Sequence, residues 1–131
     1  MLLDLTLKSP CEAALRIALA LTAASAVGPA ALAHAKLVGA SPAASSVAIA
    51  PLAKISLAFN EEIAGKLSGA AITDQAGAAQ PASAKLDPKS GKSLIVTPKQ
   101  PLAAGAYKVA WHVVASDDGH RTTGTFSFTV K

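Results

Sequence analysis

From Tyr107 to Val113 a large apolar side chain falls on every second residue. Tyr107, Val109, Trp111 and Val113 alternate with Lys108, Ala110 and His112. The same period recurs in Ile55, Leu57 and Phe59, and again in Phe126, Phe128 and Val130. A period of two places one set of side chains on one face of an extended strand, whereas a helical stripe needs spacings of three and four. No helical period of useful length appears after His34. Each alternating segment therefore reads as a strand with one buried face. Shorter strand candidates are residues 36–39, 70–73, 84–86 and 93–97. Between the strands lie turn formers: Ser41-Pro42, Ala50-Pro51, Gln75-Ala76-Gly77, Asp87-Pro88 through Gly91, Pro98, and Pro101 through Gly105. About seven short strands at this spacing predict an all-β fold, a small sandwich or partly open barrel. The aromatic residues fall on the strands and read as core.

The first third obeys a different rule. The chain has 131 residues and is 51% hydrophobic, but only 4% aromatic. Much of that hydrophobic excess is alanine near the start. After a leader carrying Asp4, Lys8, Glu12 and Arg16, residues Ile17 to Val27 are uncharged and small or apolar. This run is about 11 residues, against the roughly 20 that a membrane-spanning helix needs. Gly28-Pro29 ends it, and Ala31-Leu32-Ala33 fits the small-x-small pattern of signal-peptidase cleavage. Residues 1–33 therefore read as a signal peptide, and residues 34–131 as the exported domain. A second frame, Ala33-His34-Ala35, also fits and would remove His34. The only Cys, Cys11, and the only Met, Met1, both fall in the leader. The exported domain then has no disulfide and no thiolate or thioether metal site.

Little enzyme chemistry is indicated. No nucleophile elbow, phosphate loop or paired-carboxylate pattern is present. The net charge of +4 is spread over isolated lysines without interleaved aromatics, which points away from nucleic acid. Two features stand out. Cleavage after Ala33 makes His34 the first residue, and an N-terminal His offers its α-amine and ring Nδ1 to one metal as a six-membered chelate. The second feature is Asp117-Asp118-Gly119-His120, in the turn between the Trp111 and Phe126 strands. Gly119 lets that turn bend so that Asp118 and His120 converge. His34, Asp118 and His120 together supply three nitrogens and one oxygen, a set suited to tetragonal Cu(II). His112 lies in the opposite strand phase to Trp111, which favours a structural role.

With these segments the sequence resembles the CopC-type periplasmic copper-binding proteins. The resemblance runs through Ala33-His34-Ala35-Lys36-Leu37-Val38, Ser41-Pro42-Ala43 and Ile55 to Glu61. It continues through Pro98 to Leu102, Gly105 to Trp111, Ser116 to His120 and Thr123 to Phe128. It covers essentially all of residues 34–131. It implies a Greek-key β-sandwich or barrel of Ig-like or cupredoxin-like appearance. It also implies one Cu(II) ion held by His34, Asp118 and His120. Glu61 matches a family position close to the metal, where a carboxylate accepts a hydrogen bond and orients a ligand. Two departures are visible. Without Met, the Met-rich Cu(I) site of some members is absent, which implies a Cu(II)-only type. The Pro that often follows the Asp-Gly-His is Arg121 here, a change expected to loosen the loop or add positive charge.

The function so implied is a periplasmic Cu(II) buffer or carrier in copper homeostasis or resistance. It is expected to be monomeric, to have no enzymatic activity, and to pass copper to an inner-membrane partner of the CopD type. Two alternatives stay open. An N-terminal His with a second His is also the copper pair of lytic polysaccharide monooxygenases. A metal-free structural sandwich would use neither histidine.

Overall fold

The structure is a computed structural model and describes residues 34–131. The expected signal peptide, with Met1 and Cys11, lies outside the described residues. Nine strands follow one another: β1 (Leu37–Ser41), β2 (Val47–Ala48), β3 (Ile55–Phe59), β4 (Gly69–Asp74), β5 (Ala79–Gln80), β6 (Ala82–Asp87), β7 (Ser90–Pro98), β8 (Gly105–Val114) and β9 (Arg121–Val130). One short 3-10 turn, Gly65–Leu67, precedes β4. The strands form two sheets, ordered β1-β3-β7-β6 and β2-β9-β8-β4-β5. Pairing is antiparallel except between β2 and β9. Strands distant in sequence lie side by side, β3 with β7 and β4 with β8. This is the interleaving of a Greek-key sandwich.

Every strand expected from the sequence is present, and two more appear. β2 and β5 have two residues each, too few to show a period. They form because a longer neighbour offers a free edge: Val47 and Ala48 pair with Thr129 and Val130, and Thr73 and Ile72 with Ala79 and Gln80. Ser90 and Gly91, read from the sequence as turn residues, belong to β7. The hairpin is tighter than expected because Asp87 Oδ1 accepts the Lys89 N–H at 2.9 Å and closes the turn within two residues.

The core lies between the sheets. Ile55, Leu57 and Phe59 of β3 and Leu94 and Val96 of β7 face Tyr107, Val109, Trp111 and Val113 of β8 and Phe126, Phe128 and Val130 of β9. All are buried, as their alternation requires. Phe59 and Trp111 join the two layers edge to face, with ring centroids 5.2 Å apart. The Tyr107 hydroxyl donates to the Ala103 carbonyl at 2.7 Å, the tyrosine-corner contact that anchors a sandwich loop to its strand. Gly124 pairs with Trp111 across the β8–β9 ladder. A Cβ at residue 124 would meet the indole, at 3.1 Å from Nε1 and closer to the ring carbons. The indole thus lies across the bare backbone of β9. Gly124→Val should lower stability by about 1–3 kcal/mol, because the displaced indole cannot keep its place against Phe59. An unchanged urea midpoint would show that Trp111 does not cover this position.

Candidate metal centre

β8 and β9 deliver the Asp-Asp-Gly-His segment to one end of the sandwich. The loop is short and closed by its own backbone. Ala115 N–H donates to the His120 carbonyl at 2.9 Å, and Gly119 N–H to the Ala115 carbonyl at 3.0 Å. Gly119 has φ +73°, a left-handed conformation that a Cβ disfavours. Asp118 Oδ1 accepts the His120 backbone N–H at 2.9 Å, while Oδ2 lies 3.3 Å from His120 Nδ1. The amide hydrogen bond holds the Asp118 carboxyl below its ordinary value, and the His120 ring acts in the same direction. Both carboxylate oxygens therefore brace His120, leaving its Nε2 clear of that contact.

His34 arrives from the opposite end of the domain. The next residue, Ala35, is buried in the core, and this fixes where the His34 side chain emerges. The His34 ring stands edge-on to the His120 ring, with centroids 4.9 Å apart and planes at 79°. Its Nδ1 is shielded from solvent and has no hydrogen-bond partner among the described residues. Such an orphaned polar atom costs about 1–3 kcal/mol. A metal ion is a group that takes up its lone pair. Two imidazoles beside a carboxylate form a nitrogen and oxygen donor set that suits Cu(II) better than Cu(I).

The structure thus brings His34 to His120, and His120 to Asp118. No group of three or more His, Cys, Asp or Glu side chains converges into a ready cluster among the described residues. Asp118 joins the pair through His120. Glu61 is half-buried in a shallow depression with Asn60, Glu62, Lys92, Ser116 and Asp117. Among the described residues, it makes no hydrogen bond to His34, Asp118 or His120. His112 packs its ring over Gly69, where a Cβ would lie 3.0 Å from its Cε1, in keeping with a structural role. Arg121, which stands where the family often has Pro, opens β9 opposite Val114.

Two polar residues that hold the site together were not singled out from the sequence. The Thr122 hydroxyl donates to the Ala35 carbonyl at 2.9 Å. Asn60 brackets Lys36: its Oδ1 accepts the Lys36 N–H at 2.7 Å, and its own N–H donates to the Lys36 carbonyl at 3.1 Å. The signals were a hydroxyl in an inward phase of β9 and an Asn closing β3. Their partners lie 87 and 24 residues away, beyond any local pattern.

Residues 37–131 match the profile of the CopC domain. The chain belongs to the CopC family. It is 44% identical over 117 residues to copper resistance protein C of Xanthomonas campestris pv. juglandis, spanning 85% of this chain and 91% of that one. It is 40% identical over 108 residues to copper resistance protein C of Escherichia coli, 77% of this chain and 84% of that one. Among solved structures, PcoC from Escherichia coli, a methionine-rich copper resistance protein, matches with a TM-score of 0.69 and 38% identity, covering 76% of this chain and all 100% of that one. CopC from Methylosinus trichosporium OB3b matches with a TM-score of 0.69 and 32% identity, covering 75% and 94%.

The left-handed turn gives a direct test of the loop. Gly119→Ala should reduce stability by about 1 kcal/mol, measured by denaturation of the copper-free protein. A variant as stable as the wild type would mean that residue 119 does not hold a positive φ.

Proposed function

We propose that this CopC-family chain binds one Cu(II) ion between its first β-strand segment and its Asp-Gly-His loop, as an exported copper buffer or carrier. The family supports a copper-binding role in copper resistance. The observation that carries the site assignment is the buried Nδ1 of His34, unpartnered among the described residues and beside the His120 ring. In this reading residues 1–33 are removed on export to the periplasm, and the freed α-amine of His34 joins its Nδ1 in a chelate. His120 adds an imidazole nitrogen, and Asp118 adds an oxygen whose negative charge offsets part of the ion's charge. Glu61, which shares a depression with Ser116 and Asp117 of the loop, accepts a hydrogen bond and orients a ligand in this reading. The chain's only Met is Met1, so residues 34–131 have no thioether ligand for Cu(I). In this reading the chain is a monomer with a single Cu(II) site and hands copper to a CopD-type membrane partner; the nitrogen and oxygen donor set and the family likeness support it.

The monooxygenase alternative requires an exposed, commonly aromatic face for a polysaccharide. Phe59, Tyr107, Trp111, Phe126 and Phe128 all lie in the core, which supports the carrier reading.

Competition titration and EPR on the exported protein should find one tightly bound Cu(II). His34→Ala and His120→Ala should each weaken binding beyond the roughly 10–100-fold typical of losing a residue that only hydrogen-bonds a ligand. Equal binding by either variant would remove that residue from the site. A protein that begins at Ala33 keeps the His34 ring but loses the free amine on that residue. It should bind more weakly and change the EPR spectrum, and an identical spectrum would refute the amine chelate.

A further inference from the structure

We propose that Thr122 is a positioning residue for the copper site, a latch that holds His34 against His120. The inference rests on the copper reading above and concerns how its two histidines are brought into register.

Thr122 is two residues beyond His120, and Ala35 is the residue after His34. The Thr122 hydroxyl donates to the Ala35 carbonyl at 2.9 Å. One hydrogen bond therefore ties together the two chain segments that carry the imidazoles. The residue type is unusual for its place. Thr122 shares the phase of Phe126, Phe128 and Val130, which face the core, yet it carries a hydroxyl. An apolar side chain would satisfy the packing there, but only a donor satisfies the carbonyl of Ala35, a residue 1% exposed.

The latch has a counterpart on the other sheet. Asn60, just past β3, takes both backbone groups of Lys36. The segment after His34 is thus gripped by β9 on one side and by the end of β3 on the other. Asn60 alone extends the β1–β3 pairing and sets the course of the strand. Thr122 acts on the residue next to the ligand and fixes the approach to His120, whose ring lies 4.9 Å from that of His34. Nothing in Thr122 reaches the metal donors themselves. Its effect passes through the backbone of Ala35.

The test compares wild type, Thr122→Val and Thr122→Ser in Cu(II) competition titration and EPR. Valine keeps the shape and removes the donor; serine keeps the donor. Thr122→Val should bind Cu(II) about tenfold more weakly, the scale of one lost hydrogen bond, and should give a broadened or mixed EPR signal. Thr122→Ser should restore both affinity and spectrum. Should the valine variant fail to fold, Thr122→Ala makes the same comparison. Unchanged affinity and spectrum without the hydroxyl would overturn the latch, and so would failure of serine to rescue. Absence of Cu(II) binding by the wild type would instead refute the copper reading, and the latch with it.

Discussion

The ladder between β8 and β9 is the constraint on which the rest depends. It runs from Gly105 opposite Val130 to Val114 opposite Arg121 without a break in register. One face supplies much of the core, and its closed end carries Asp118 and His120. A slip of one residue would turn Trp111 and Phe128 to solvent and bring Lys108 and His112 inward. The apolar pattern therefore enforces the register, and the register sets where the loop begins. Asp118 and His120 are thus placed by the packing of side chains elsewhere on the two strands.

The other half of the site depends on a bridge between layers. β1 is the edge strand of one sheet, while His120 follows from the other. The segment from His34 to Lys36 crosses that gap, anchored by buried Ala35 and by hydrogen bonds to Asn60 and Thr122. The core of the sandwich makes the domain stable, and polar contacts at its rim set the course of this segment.

The fold was legible in the sequence where burial acts on every second residue. β3, β8 and β9 could be read from their alternation alone. β2 and β5 could not, because two residues carry no period and their pairing depends on a neighbour's edge. Ser90 and Gly91 read as turn because their composition is that of a turn; the side chain of Asp87 shortened the hairpin and released them to β7. At the site, His34, Asp118 and His120 stood out because their chemistry is unusual for their positions. The structure brings the two imidazoles together and sets Asp118 against His120. Thr122 and Asn60 look like ordinary surface-type residues in the sequence. What they do depends on partners that only the folded chain supplies. Glu61 was singled out through resemblance rather than through its own surroundings, and it lines a depression with Asn60, Glu62, Lys92, Ser116 and Asp117.

The pairing of His34 with His120 has a further consequence. His34 precedes β1 of one sheet and His120 lies between β8 and β9 of the other, so the rings meet only when both sheets are in place. A partly folded chain holds the same donors, but not as a set. Occupancy of the pair is then linked to the folding equilibrium of the whole domain. A ligand bound there draws population from every opened state. Such a ligand would cross-link the segment before β1 to the loop before β9, in a chain whose single Cys allows no internal disulfide.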